Sequence, residues 1–206
     1  IQDAKDLRVL DLTHTGLNSV KGIENSVGLT DVFLTSNGLV GPFPQELLQI
    51  ATLETLGMAF NALTGPIPAE LGLMKKLKFL DVNNNDFQGT IPVSFGQMNQ
   101  LEVILMQANS LSGSFPQEIG SLPNLLFVDL SQQTDRGGPG LTGPIPSFSV
   151  QAELKRLDLS GNDFTGNIPS DFLQATDPED FEYLDLSDNR VSGTAPAILA
   201  RLFIDT

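Results

Sequence analysis

Residues 53–76 read LETLGMAFNALTGPIPAELGLMKK, and residues 77–100 read LKFLDVNNNDFQGTIPVSFGQMNQ. Both stretches carry leucine, asparagine, glycine and an Ile-Pro pair at the same offsets, and residues 101–124 continue in the same register. Working outward gives about eight copies, which begin at Leu7, Leu29, Leu53, Leu77, Leu101, Leu125, Leu154 and Phe181. A period of 20–29 residues with this leucine spacing is typical of a solenoid, in which each repeat forms one turn of a coil.

The repeats run from end to end of the chain, so they predict one elongated domain over residues 1–206. Within it, residues 1–28 form an atypical N-terminal repeat or cap, to which Ile1 and Ala4 are expected to contribute. Residues 29–195 form the regular repeats, with an insertion at 134–140. Residues 196–206 form either a C-terminal cap or the edge of a truncated array.

Each repeat is predicted to contain a short strand, a bend and an outer segment. The leucines of L-x-x-L-x-L point inward, and the residues between them point to the concave face of a parallel sheet. The following L-x-G-x-I/F-P provides a tight bend and a brief extended piece, after which a 3₁₀ or short helical turn covers the outer side.

An amide side chain recurs where each strand ends. Here the bend leaves backbone N–H and C=O groups inside the coil, and an amide can donate to one and accept from the other. Thr15 takes this place in the first repeat and Gln133 in the sixth. The remaining repeats have asparagine: Asn37, Asn61, Asn85, Asn109, Asn162 and Asn189.

The composition excludes several functions. Eleven Lys+Arg against 25 Asp+Glu give a net charge of −14, which disfavours nucleic acid and anionic membranes as partners. The absence of cysteine rules out disulfides, thiol catalysis and thiolate metal sites. No apolar run is long enough to span a bilayer.

The full motif L-x-x-L-x-L-x-x-N-x-L-x-G-x-I-P resembles that of plant-specific leucine-rich repeats over nearly all of residues 29–206. The resemblance implies an α/β solenoid: a right-handed superhelix with a concave parallel sheet and short 3₁₀ or extended segments outside. Members are mostly extracellular, as receptor-like kinase and receptor-like protein ectodomains or as polygalacturonase inhibitors. Plant members usually carry cap cysteines and glycosylation sequons, and this chain has neither.

An apolar stripe on the concave face is the predicted binding site. Aromatic side chains provide a large contact area, and a contiguous exposed patch of them usually marks an interaction site. Self-association is the alternative use of such a patch, although a monomer is favoured. Gly57 and Ala59, beside the stripe, are expected to leave room for a partner group. The stripe consists of Phe33, Phe60, Phe79, Val103, Leu105 and Phe127.

Four polar or amphipathic residues extend the predicted site. Asp135 and Arg136 lie in the inserted loop, and Arg156 and Tyr183 lie on concave strands. A local ion network around Arg156 is favoured over a Ca²⁺ site formed by the neighbouring aspartates Asp129, Asp158, Asp185 and Asp188. Paired aspartates also match the spacing of retaining glycosidases, but their recurrence follows the repeat. His14, the only histidine, has no catalytic neighbours.

These observations predict a non-catalytic recognition module without a cofactor or metal. Its expected partner is a peptide, a protein or a hydrophobic ligand, and a co-receptor can join it. The favoured context is the extracellular or cell-surface domain of a receptor-like protein or kinase. The alternatives are a secreted inhibitor of a cell-wall hydrolase and a structural or adhesive wall protein.

Overall fold

The fold is a coil of parallel strands, as the repeat predicts. A computed structural model describes residues 6–135 and 137–202. Every L-x-x-L-x-L segment forms a strand of three residues, and these strands pair in chain order into one eight-stranded sheet. Numbered along the chain, they are β1 Val9–Asp11, β2 Asp31–Phe33, β4 Thr55–Gly57, β6 Phe79–Asp81, β8 Val103–Leu105, β10 Phe127–Asp129, β12 Arg156–Asp158 and β14 Tyr183–Asp185.

A second parallel sheet runs along the flank. It contains the residues around each L-x-G segment, and its seven strands also follow chain order. This sheet confirms the predicted extended piece after the bend. Its strands are β3 Val40–Gly41, β5 Ala62–Gly65, β7 Asp86–Gly89, β9 Ser110–Ser114, β11 Gly140–Gly143, β13 Asp163–Asn167 and β15 Arg190–Ser192.

Short 3₁₀ segments cover the outer side of five repeats. Four of them begin after Gly22, Pro44, Pro68 and Pro92. One six-residue helix, α1 Ala197–Leu202, lies at the end of the described chain, and its Ile198 and Leu199 pack against the core. The 3₁₀ segments are Ile23–Asn25, Gln45–Gln49, Ala69–Leu73, Val93–Gln97 and Ile119–Ser121.

The core is a continuous column rather than a sphere. The inward residues of successive strands, such as Leu56, Leu80 and Ile104, are fully buried and sit in register on neighbouring strands. Each 3₁₀ segment adds one buried side chain from the other side, such as Leu71 or Phe95. Each turn therefore gains most of its burial from its two neighbours, which is the stability principle of repeat proteins.

The asparagine column connects each turn to the one before it. The Nδ2 of Asn85 donates to the carbonyls of Met58 at 3.0 Å and Val82 at 3.1 Å. Its Oδ1 accepts from the N–H of Leu63 at 3.1 Å. Gln133 makes the same contacts with Met106 and Leu111, at 2.9 and 3.0 Å. The predicted structural role of the amides is confirmed.

The N-terminal end of the coil departs from the regular pattern. Thr15 Oγ1 donates to the carbonyl of Leu12 at 2.8 Å, so it replaces only part of the amide function. The predicted capping by Ile1 and Ala4 lies outside the described residues.

Within residues 6–135 and 137–202, no helix is long and apolar enough to cross a membrane.

We expect Asn85→Ala to lower the free energy of unfolding by roughly 2–5 kcal/mol, because it leaves buried backbone groups of two turns without partners. Urea denaturation followed by circular dichroism measures this. Gln88→Ala, at an exposed position of β7, is the matched control and should change stability by no more than about 0.5 kcal/mol. Equal stability of the two variants would contradict the role of the ladder.

Candidate functional site

The concave sheet presents two straight rows of side chains. Because neighbouring strands pair without a shift, equivalent residues of all eight repeats lie side by side. The first row is Val9, Asp31, Thr55, Phe79, Val103, Phe127, Arg156 and Tyr183. The second row is Asp11, Phe33, Gly57, Asp81, Leu105, Asp129, Asp158 and Asp185.

The predicted apolar stripe is contiguous in its central part. Phe79, Val103 and Phe127 occupy consecutive strands in the first row, and Leu105 lies in the second row of the middle strand. All four side chains are half-buried rather than fully open, because side chains of adjacent turns cover part of each one. The stripe therefore forms a shallow apolar floor.

Phe33 is separated from this floor. It lies in the second row on β2, two strands before β6, and is half-buried. Its ring lies beside Gly57, so that a Cβ built on Gly57 would come 3.3 Å from Phe33 Cδ1. Ala59 is buried in the coil. The expectation that Gly57 and Ala59 leave room for a partner group is therefore wrong, because Phe33 already covers the glycine.

A third row marks the exit of each strand, and all of its members have a positive φ. In seven of these eight residues the N–H donates to a carbonyl of the next turn, as Phe60 does to Asn83 at 3.1 Å. The conformation is thus imposed by the fold at every repeat. The row is His14, Ser36, Phe60, Asn84, Ala108, Gln132, Gly161 and Asp188, with φ between 50° and 63°.

Phe60 is the unusual member of this row. For residues other than glycine, asparagine and aspartate, the left-handed backbone conformation costs about 1–2 kcal/mol. Phe60 has φ 55° and still leaves 55% of its surface exposed. A bulky aromatic residue at a strained and exposed position gains little from burial within its own chain. Such outliers support a role in contacts with a partner.

Arg156 joins the two rows at the C-terminal part of the sheet. Its guanidinium lies 4.1 Å from the centre of the Tyr183 ring. The same side chain is 3.3 Å from the carboxylate of Asp158 and 3.9 Å from that of Asp129. This arrangement confirms the expected local ion network. Arg156 and Tyr183 continue the apolar floor beyond Phe127 in the first row.

The second-row aspartates cap the ends of their strands. Oδ1 of Asp81, Asp129 and Asp185 accepts the N–H of the residue two positions later, at 3.1, 3.1 and 2.8 Å. Asp129 also accepts the hydroxyl of Ser131 at 2.7 Å. The available sequence signal for this contact was the recurrence of aspartate between two inward apolar residues, as in Leu157-Asp158-Leu159.

The surroundings divide these carboxyl groups into two classes. Hydrogen bonds from Ser187 lower the pKa of Asp185. Burial raises the pKa of Asp81 and Asp129, and the hydrogen bonds that each accepts offset only part of this effect. The neighbouring Asp158 raises the pKa of Asp129 further, and Asp129 in turn raises that of Asp81.

The described residues of the inserted loop do not lie over the concave floor. Gly138 approaches Ser110 on β9, and the loop lines a shallow cavity together with Gln88 and Ser112 of the second sheet. Thr134 N–H donates to Gly161 O at 3.4 Å, which places the exposed Asp135 beside the exit row. Asp135 thus borders the concave face only at its rim. The predicted site residue Arg136 lies outside the described residues.

Metal binding finds no support in the part of the chain that the structure describes. No group of three or more histidine or acidic residues there could hold a metal ion. His14 is exposed at the first exit position. The concave face is therefore a surface of apolar, aromatic and acidic side chains on a parallel sheet. It defines the class of the molecule: a repeat solenoid with an extended concave surface.

Comparison with known proteins agrees with this class. The Leucine Rich Repeat family model matches residues 76–98, 153–175 and 180–202. Receptor-like protein 32 of Arabidopsis thaliana is 38% identical over 81 residues, which are 39% of this chain and 9% of that protein. The chain thus spans less than a tenth of this curated relative.

Two solved plant structures are similar over almost the whole chain. The peptide hormone receptor RGFR1 in complex with RGF2 has a TM-score of 0.84 and 29% identity, covering 96% of this chain and 31% of the receptor. A plant ice-binding protein has a TM-score of 0.80 and 29% identity, covering 98% of this chain and 63% of that one. The chain therefore contains leucine-rich repeats and is similar in fold to these plant proteins.

We expect Phe60→Asn to raise the free energy of unfolding by about 0.5–1 kcal/mol, because asparagine tolerates left-handed backbone better than phenylalanine. Thermal or urea denaturation measures the change. Val40→Asn is the matched control: it replaces an exposed apolar residue of β3 and has no positive φ to relieve, so it should not stabilise. If Phe60→Asn does not stabilise the protein relative to Val40→Asn, the backbone at Phe60 is not strained.

Asp129→Asn should stabilise the protein at neutral pH and lose this advantage in acid. The pKa of Asp129 is raised in the folded state, so the folded protein takes up its proton at a higher pH than the unfolded chain does. The cost of the buried charge is therefore present at pH 7 and disappears as the pH falls through the folded pKa. Asparagine keeps an acceptor for Ser131 and carries no charge. Urea denaturation of the wild-type and Asp129→Asn proteins from pH 7 to pH 3 measures the difference between their free energies of unfolding. This difference should shrink as the pH falls. A constant or growing difference would contradict the raised pKa of Asp129.

Proposed function

We propose that the chain is a recognition module that binds a peptide or a segment of a protein along its concave sheet. The observation that carries this proposal is the apolar floor of β6, β8 and β10, continued by Arg156 and Tyr183 and bordered by the strained, exposed Phe60. Rows at the strand spacing of ~4.8 Å suit an extended chain laid across several repeats.

The relatives support the same function. A curated receptor-like protein is similar in sequence, and a peptide hormone receptor, solved in complex with RGF2, is similar in fold. We propose accordingly that this segment is part of the ligand-binding domain of a receptor-like protein or receptor kinase, placed outside the cell or at its surface. The proposed activity is binding without catalysis, and a co-receptor is part of the same proposal.

Ice binding, a property of the other similar structure, is not extended to this chain. The second sheet carries threonine and serine in its exposed rows, but its strands pair with a shift, so that Thr64 lies beside Asp86 and Thr165 beside Arg190. Arg190 also forms an ion pair with Asp163 at 2.7 Å. Charged side chains therefore interrupt the rows of threonine and serine. These rows would have to be regular and uncharged to match a lattice of ice.

The proposal is tested by selecting peptides from a random dodecapeptide phage library on the immobilised protein. Leu105→Asp and Phe60→Asp should each weaken the selected peptides about tenfold or more, because each places a hydrated charge in the apolar contact. Val93→Asp is the matched control, since Val93 is 68% exposed on the outer side.

The outcomes separate clearly. Loss of binding in both concave variants, with retention in the control and unchanged melting curves, supports the concave surface. Peptides that bind all variants equally, or the absence of any enriched peptide, would overturn it.

A further inference from the structure

Two strands of the concave floor repeat the same pair of side chains. β6 presents Phe79 and Asp81, and β10 presents Phe127 and Asp129, in the same two rows. Between them, β8 presents Val103 and Leu105. We call these six residues the concave cradle. It has an apolar middle strand, with one phenylalanine and one carboxylate on each side.

The cradle is acidic, and part of its charge has no counterion. Among the described residues, no lysine, arginine or histidine nitrogen lies within 4 Å of the Asp81 carboxylate, which accepts one hydrogen bond, from the Asn83 N–H. Arg156, on β12, stacks on Tyr183 and lies closer to Asp158 than to Asp129. The basic side chain on the flank, Lys78, pairs with Glu54 at 2.7 Å. The protein as a whole has a charge of −14.

The size of the cradle decides which cation fits. Asp81 and Asp129 lie on strands separated by β8, so their backbones are about 9–10 Å apart at the usual strand spacing. A Ca²⁺ ion needs oxygen ligands at about 2.3–2.6 Å and several of them, so it cannot join carboxylates held this far apart. A lysine or arginine side chain is large enough to reach them. Its aliphatic stem can lie on Leu105 and Val103, and its charged group can face a carboxylate or a phenylalanine ring.

We propose that the concave cradle binds a basic side chain, lysine or arginine, of a peptide or protein segment. The proposal rests on the recognition function above and specifies its partner: a segment with at least one basic residue flanked by apolar ones. Charge complementarity supports it over an acidic or neutral partner, because a segment carrying Asp or Glu would place like charges beside Asp81. The cradle thereby acts as a specificity-determining part of the surface.

The test uses the random dodecapeptide phage library on the wild-type protein, followed by affinity measurements with synthetic copies of the enriched peptides. Enriched sequences should contain lysine or arginine more often than the unselected library. Asp81→Asn should weaken them by roughly tenfold to a hundredfold, the range expected when one partner of a charge-assisted hydrogen bond loses its charge. Replacing the peptide's basic residue with glutamine should have a similar effect, and the two changes together should cost less than their sum.

Glu70→Gln is the matched control, because it removes one negative charge from an exposed position in the outer 3₁₀ segment Ala69–Leu73. It should leave the affinity within about twofold, because rim and remote charges contribute little. A large effect of Glu70→Gln would mean that the general charge, not the cradle, selects the peptides, and this would overturn the proposal.

The failure of this inference is distinguishable from the failure of the proposed function. If the enriched peptides lack basic residues and bind Asp81→Asn normally, but lose binding to Leu105→Asp, the concave surface stands and the basic specificity is wrong. If the peptides are insensitive to Leu105→Asp and Asp81→Asn alike, both proposals are wrong. Melting curves of each variant show whether a loss of binding reflects unfolding.

Discussion

The need to satisfy buried backbone groups at each bend governs this structure. Every turn of the coil leaves the sheet and curves inward, and it would leave N–H and C=O groups without partners in an apolar column. In seven of the eight repeats, one amide solves this by donating to the carbonyls of two turns and accepting from one N–H, as Asn85 and Gln133 both do. Because the contact connects successive turns, it also fixes their register.

The fixed register gives the concave face its geometry. Equivalent side chains form straight rows, and neighbouring repeats cannot slide relative to one another without breaking the amide contacts. The same bend forces a left-handed backbone at each strand exit, where asparagine, aspartate or glycine fits best. Phe60 retains an aromatic side chain in this place at a cost in stability. Phenylalanine disfavours the left-handed backbone that the fold requires at this position. Conflicts of this kind are typical of binding surfaces.

The charges divide the concave face into two parts. Toward the C-terminal end, Arg156 offsets Asp129 and Asp158 and stacks on Tyr183, so this region is partly neutralised within the chain. Toward the centre, Asp81 lies beside apolar side chains, and burial raises its pKa. A basic side chain of the proposed partner would stabilise the ionised form of Asp81. The raised pKa of Asp81 is therefore consistent with a basic partner.

The sequence by itself determined the coil, the strand positions, the inward leucines and the role of the amide column, including Gln133. It could do so because one repeat constrains the next: the same offsets recur, and only one side of a short strand can face the core. Tertiary structure alone decided how deeply each concave side chain lies, because exposure depends on the neighbouring turns. It placed Phe33 over Gly57, buried Asp129 and Asp158 to 7% and 6% exposure, and directed the inserted loop toward the second sheet. These features depend on contacts between residues more than twenty positions apart, and no pattern within a single repeat encodes them.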